Sequence, residues 1–331
     1  MSELWLAALA ILGGFIGLIW SADRFVGGSA ALASNFGVSK LIIGLTIVSL
    51  GTSAPEIVVS ISASLKAAGD LAVGNAIGSN LANIGLVLGI TALVAPLPIQ
   101  RHLLNRELPI LLLVTALAGA LLYDAELSFV DGVLLLGALV PVLVFLVVSK
   151  NRQPSAEEED TDIPDMSRAS AALWFVLGLA ALIVSSEVLV WGAREVATAF
   201  GVSPLIIGLT VIAVGTSLPE LAASVMSALR NHHDIALGNI VGSNIFNLLA
   251  VMSVPGLIQQ PQMDAAVFSR DFLAMAGITA LLALAILLDY GLRNRAAGAA
   301  NDGRLGRRIG ILLLMAYVGY YLLLFTSTAA A

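Results

Sequence analysis

The 331-residue sequence contains no cysteine, which excludes a disulfide framework and thiolate metal ligands. Its three histidines leave little for an imidazole-based metal centre. Charge is scarce as well. Lys, Arg, Asp and Glu make up 11% of the chain, against roughly 25% in an ordinary soluble domain. That scarcity excludes a soluble globular enzyme, a disordered chain and a basic nucleic-acid binder. Apolar residues fill the gap, at 59% with a mean hydropathy of +0.97. This is the composition of a polytopic membrane protein. The net charge of -6 is no partner signal, because six acids sit in one short stretch, 157–165.

A bilayer crossing needs about 20 apolar residues at 1.5 Å each. Ten such runs are expected, near 4–22, 41–65, 71–94, 107–122, 129–148, 170–193, 205–229, 235–258, 271–290 and 309–328. The first run lacks the basic start and cleavage site of a signal peptide, so it is expected to remain as a span. Basic residues set the orientation. With the N-terminus outside, thirteen of the 16 Lys and Arg fall in inside connections, and only Lys66, Arg194 and Arg270 fall outside. The positive-inside rule thus predicts both termini outside and the 149–168 linker in the cytoplasm.

The chain repeats itself at an offset of 164 residues. Residues 37–56, GVSKLIIGLTIVSLGTSAPE, match 201–220, GVSPLIIGLTVIAVGTSLPE, at fourteen of twenty positions. Residues 70–83, DLAVGNAIGSNLAN, match 234–247, DIALGNIVGSNIFN, at eight of fourteen. Each half holds five spans, an odd number, so the halves enter the membrane in opposite senses. The expected fold is an all-α polytopic membrane protein of ten transmembrane helices in two inverted five-helix repeats. The repeats cover 1–148 and 169–331, joined by the acidic linker 149–168. Inverted repeats are the architecture of secondary transporters, with substrate held near the midplane on broken helices.

Glu56 and Glu220 are read as the acids well inside membrane runs, at matched positions. A carboxylate there costs at least about 2.5–3.5 kcal/mol, which points to function rather than to helix glue. Each follows a Gly-Thr-Ser-x-Pro segment, Gly51 to Pro55 and Gly215 to Pro219. Proline lacks the amide donor and clashes with the carbonyl four residues back, that of Gly51 or Gly215. A helix broken at Gly-Thr-Ser with freed carbonyls is expected, and such backbone is tolerated at membrane depth only in a protein interior or cavity. Carbonyls, hydroxyls and a carboxylate form an oxygen cage for hard cations such as Ca²⁺ and Na⁺. Asn75, Ser79 and Asn83 lie four apart on one helix face, as do Asn239, Ser243 and Asn247. Gly74 and Gly78, and Gly238 and Gly242, form small-xxx-small patterns that let helices approach.

These paired GTSxPE and GNxxGSN segments resemble the alpha-repeats of the cation/calcium antiporter superfamily, which includes the sodium/calcium exchangers. The look is that of the short prokaryotic members without a large regulatory loop. The resemblance implies calcium carboxylates at Glu56 and Glu220 and calcium-coordinating carbonyls at Thr52 and Thr216. It implies sodium ligands at Ser49, Thr52, Ser53 and Ser79 in one half and at Ala213, Thr216, Ser217 and Ser243 in the other. The two remaining midplane positions fall on Asn83 and Asn247. Some exchangers of the superfamily carry Asp at one of these, whereas here both are Asn. The core then offers two carboxylates, which one Ca²⁺, two Na⁺ or two protons balance.

The function expected from this is calcium/sodium antiport across a bacterial inner membrane by alternating access, with calcium/proton antiport as the alternative. Sharing of one oxygen set by competing ions couples the exchange. The helices that open each repeat, 4–36 and 170–200, are expected to slide to switch access. Ca²⁺, Na⁺ and the bilayer are the expected partners, with no cofactor, nucleic acid or obligate protein. An intramembrane enzyme is disfavoured, because no nucleophile–base or metal constellation accompanies the acids. His102, His232 and His233 are expected to be solvated at loops or span ends. Asp70 and Asp234 read as helix-start residues. Asp23, Arg24 and Glu187 read as interfacial charges, and the acidic run reads as a solvated linker.

Overall fold

The structure, a computed structural model, describes residues 2–151, 165–201, 211, 213–297 and 303–329. The apolar runs fold as helices because only a helix satisfies its own backbone within one segment. The first half runs through α1 (Ser2–Phe36), α2 (Lys40–Ile43), π1 (Gly44–Val48), α3 (Ser49–Thr52), α4 (Ala54–Leu65) and α5 (Gly69–Ala82). It continues with π2 (Asn83–Leu88), α6 (Gly89–Val94), β1 (Leu97–Ile99), π3 (Leu103–Glu107), α7 (Leu108–Leu121) and α8 (Phe129–Asn151). The second half runs through α9 (Arg168–Ala199), α10 (Ala213–Thr216), α11 (Leu218–Leu229), α12 (His233–Phe246) and π4 (Asn247–Val251). It ends with α13 (Ser253–Ile258), π5 (Val267–Phe272), α14 (Leu273–Ala297), β2 (Gly303–Leu305) and α15 (Arg307–Ala329).

Element bounds recur at the offset seen in the sequence. α3 to α6 map onto α10 to α13, π2 and π4 start at Asn83 and Asn247, and π3 and π5 start at Leu103 and Val267. Even the left-handed turn residues match, Gly37 with Gly201 and Ala67 with Asn231. Among the described residues, eight helices are long and apolar enough to span, or nine with the bent pair Lys40–Thr52 and Ala54–Leu65. The remaining expected span, 205–229, is described only from residue 211, and its described part includes the apolar helix Leu218–Leu229. The opening helices are longer than the apolar runs suggested, because Asp23 and Arg24 lie within α1 rather than ending it.

Contacts divide the chain into two compact units. The first comprises Met1–Pro55 and Ala156–Asn239. In it α1 and α9 run antiparallel. A Cβ at Gly14 would lie 2.7 Å from the Leu189 nitrogen, and one at Gly178 would lie 2.6 Å from the Phe25 nitrogen. Gly14 and Gly178 are repeat equivalents, and so are Phe25 and Leu189, so the pair packs about its own local two-fold. Gly28 against Phe175 and Gly192 against Ile11 repeat the pattern. Leu18, Phe25, Val48, Leu182 and Ile235 belong to the buried core. Gly238 faces Leu41 and Gly44 so closely that a Cβ there would stand 2.8 Å from the Leu41 carbonyl, as the small-xxx-small pattern predicts.

The second unit comprises Glu56–Ser155 and Ile240–Ala331. Here α15 packs along π2 and α6, with Gly85 under Tyr317 and Gly89 under Leu314. Helix α8 packs on α13 through Gly132 and Gly256. A two-stranded antiparallel ladder pairs Leu97 with Leu305. The Asn80 amide donates to the Asn244 carbonyl at 3.2 Å, joining two residues that are equivalents across the repeat.

The histidine expectation fails at two of three positions. His102 is 9% exposed, with Nδ1 3.2 Å from Glu107 and Nε2 2.8 Å from Gln100. Glu107 is itself buried, and its need for a partner draws the imidazole inward. His232 is 1% exposed, because Asn231 adopts φ 58° and tucks the next residue under α11. The His232 amide then bonds the Ser227 carbonyl at 2.8 Å. Asp23 forms an ion pair with Arg230, whereas Glu187 is exposed. Asp70 and Asp234 lie in the first turns of α5 and α12, as expected of helix-start acids.

Candidate functional site

Both helices break where the prolines require it. Between α3 and α4 the chain turns through Ser53 at φ −84°, ψ 6°, and the two pieces are bent by 42°. Between α10 and α11 it turns through Ser217 at φ −91°, ψ 5°. The Gly215 carbonyl, which Pro219 cannot serve, is met by the Ser186 hydroxyl at 3.1 Å. Ser186 comes from α9 and carried no signal in the sequence beyond being a small polar residue in an apolar run.

In the first unit the break of one repeat meets the carboxylate of the other. The Ser53 hydroxyl donates to Glu220 Oε1 at 3.2 Å, and Thr52 Oγ1 donates to Asn239 Oδ1 at 3.0 Å. The Asn239 amide donates to Ser224 at 3.0 Å and to the Glu220 carbonyl at 3.4 Å. Thr52, Ser53, Glu220 and Asn239 are all buried. Glu220 Oε2 and the Ser217 hydroxyl have no hydrogen-bond partner among the described residues. A buried acceptor and hydroxyl left open in this way suit a bound cation. Ser49 turns its hydroxyl back to the Thr46 carbonyl at 3.1 Å. Thr216 is half-buried at the end of α10, the helix that Ala213 begins.

The second unit repeats one of these bonds. Glu56 is 1% exposed, and the Asn75 amide donates to its carbonyl at 3.3 Å, as Asn239 does for Glu220. Ser60, four residues after Glu56, donates to the Val251 carbonyl inside π4 at 2.9 Å. Ser60 and its repeat equivalent Ser224 were missed by the sequence reading, although both lie one helical turn beyond a glutamate, on its face. Ser79 and Ser243 are buried in α5 and α12. Asn83 and Asn247 are 1% and 0% exposed, and all four amide atoms lack a hydrogen-bond partner among the described residues. Each opens a π-helical segment, a feature frequent at functional sites.

Among the described residues no group of three or more His, Cys, Asp and Glu is gathered as a metal centre would need. The donors are hydroxyls, amides, carbonyls and single carboxylates, a set that suits a hard cation passing through rather than a tightly held transition metal. Buried oxygen donors on paired, broken apolar helices define a multi-pass membrane transporter of cations.

The chain belongs to the family described as sodium/calcium exchanger protein, which it matches over residues 6–148 and 170–326. CaxA of Alkalimonas amylolytica, an antiporter by name, is 46% identical over 327 residues, 97% of this chain and 99% of that protein. Sodium/calcium exchanger MaX1 of Methanosarcina acetivorans is 29% identical, covering 96% of this chain and 98% of the relative. The solved structure of the sodium-calcium exchanger NCX_Mj, soaked with zero Na⁺ and Ca²⁺, superposes with a TM-score of 0.80 at 34% identity, covering 95% of this chain and 97% of that one.

Proposed function

We propose that this protein exchanges Ca²⁺ for Na⁺ across the inner membrane, with Glu56 and Glu220 as its ion-binding carboxylates. The observation that carries the proposal is the buried polar atoms that have no partner among the described residues, Glu220 Oε2 and the Ser217 hydroxyl in the first unit and the amides of Asn83 and Asn247 in the second. Thr52, Thr216, Ser49, Ser53, Ser79, Ser243 and the backbone at Ala213 complete the oxygen set by family resemblance. Two carboxylates and neutral oxygens accept one Ca²⁺ or monovalent ions, not both sets together. Mutual exclusion then couples the two fluxes. The antiparallel fit of α1 on α9 supports inverted repeats over 1–148 and 169–331. Under that topology both termini lie outside and the 149–168 linker lies in the cytoplasm.

Calcium uptake into proteoliposomes tests the reading, first under an imposed sodium gradient and then under a pH gradient. Uptake is expected to follow sodium and to vanish in Glu56→Gln and in Glu220→Gln while both variants still fold. Uptake that ignores sodium and follows the pH gradient would give the proton-coupled alternative. Full calcium transport by either Gln variant would sink the site.

A further inference from the structure

The two helix breaks are matched in sequence, but they are covered unevenly. Within the first unit α9 packs against both α3 and α10, whereas α1 packs against α2 and α11. A Cβ at Gly51 would lie 2.8 Å from the Leu179 side chain, and one at Gly215 would overlap Val190. Leu179 and Val190 both belong to α9, about three turns apart. Their repeat equivalents on α1 are Phe15 and Val26. A two-fold symmetric arrangement would also set Phe15 against Gly215 and Val26 against Gly51. Instead Phe15 is exposed, and the nearest atoms at both glycines come from α9 alone.

Inverted halves make such an asymmetry reversible. With the roles of the halves exchanged, α1 would cover both breaks through Val26 and Phe15, and most contacts would be replaced by their equivalents. The balance between the two arrangements is then set where equivalents differ. Ser186 is such a place. It is 4% exposed, and its hydroxyl donates to the Gly215 carbonyl at 3.1 Å, the carbonyl that Pro219 leaves without an amide. The equivalent residue on α1 is Ala22, which has no hydroxyl for the Gly51 carbonyl. Ser21, beside it, turns its own hydroxyl back to the Gly17 carbonyl at 2.6 Å.

We infer that Ser186 is a positioning residue for alternating access: its bond to the Gly215 carbonyl forms in the arrangement seen here, has no counterpart when the halves exchange roles, and so biases the protein toward one access state. The inference rests on the alternating-access reading proposed above and adds to it a hydrogen bond made in one state only. One net hydrogen bond changes a two-state ratio about fivefold.

The test uses the full chain in nanodiscs without calcium or sodium. Thr198→Cys on α9 and Leu229→Cys on α11, both exposed and both in the first unit, carry spin labels, and no native thiol competes. The distance between the labels is read by pulsed electron resonance. Ser186→Ala is expected to raise a second distance about fivefold relative to the first. Ala22→Ser, which offers the exchanged arrangement the bond it lacks, is expected to raise the same second distance. An unchanged or merely broadened distribution in Ser186→Ala, or opposite shifts in the two variants, overturns the inference. Calcium half-saturation, measured from each face in right-side-out and everted vesicles, gives a second readout. Ser186→Ala should lower the constant on one face and raise it on the other, because apparent affinity follows the population of the competent state. A rise on both faces would mark a merely structural serine and also overturns the inference. The distance readout needs no calcium, so a shift in a protein that moves no calcium would uphold the bias and remove the calcium reading instead.

Discussion

At the scale of single residues, the amides of Asn83 and Asn247 separate function from packing. A polar group buried without a partner lowers stability, by roughly 1–3 kcal/mol when nothing satisfies it. Asn83→Leu and Asn247→Leu are therefore expected to melt at or above the parent temperature in detergent while losing calcium uptake. A large fall in melting temperature would instead mark the amides as structural. His232 gives a second prediction at this scale. Burial, and then the positive charges of Lys40, Arg230 and His233, hold its imidazole down at about 4. The unfolded chain takes up that proton near pH 6.5 and the folded protein does not, so stability falls as pH drops from about 6.5 to 4. His232→Gln should flatten that part of a melting-temperature profile against pH. Neither behaviour was legible in the sequence. The buried place of His232 depends on one left-handed residue, Asn231, whose turn no spacing rule reveals.

At the scale of elements, the break before each glutamate was readable because proline acts on a known carbonyl. Pro55 and Pro219 fixed where the helices would fail, and Ser53 and Ser217 are the failed residues. What filled the gap was not readable, since Ser186 lies on a helix far away in sequence. Pro219→Ala restores an amide that competes with the Ser186 hydroxyl for the Gly215 carbonyl. The helix should then close across Ser217, and apparent calcium affinity should fall about tenfold or more, read from uptake against calcium concentration. The π segments were equally hidden. A short apolar run such as the four residues Leu248 to Val251 looks the same to a period of 3.6 or of 4.4. The α1–α9 pair gives a symmetric test. Gly14→Ile and Gly178→Ile should each destabilise the fold by about 1–3 kcal/mol of overpacking and so lower the melting temperature to a similar extent, because their surroundings are equivalents. Unequal losses would argue against the local two-fold.

At the scale of the whole molecule, absence of cysteine makes the orientation directly measurable. Single substitutions Ser2→Cys, Ser155→Cys and Ala331→Cys carry no background thiol. An impermeant maleimide added to intact cells should label the first and last and spare the second; the reverse pattern would invert the proposed topology. Much of the architecture was legible because the repeat is gapless, so one half predicted the other down to turn residues such as Gly37 and Gly201. The Thr52–Asn239 and Ser53–Glu220 bonds were not, because matching alone never says which copy touches which. The same gapless match has a consequence for length. Each π segment holds one residue more than its turn requires, and that residue turns everything beyond it by about 100° relative to a regular helix. Deleting Ile84 would give a tidier helix and better local hydrogen bonds. It would also rotate the Asn83 side chain away from the residues that follow it, in one copy only. The two halves would then no longer be in phase, so a change that improves a helix by every local measure would disable the protein.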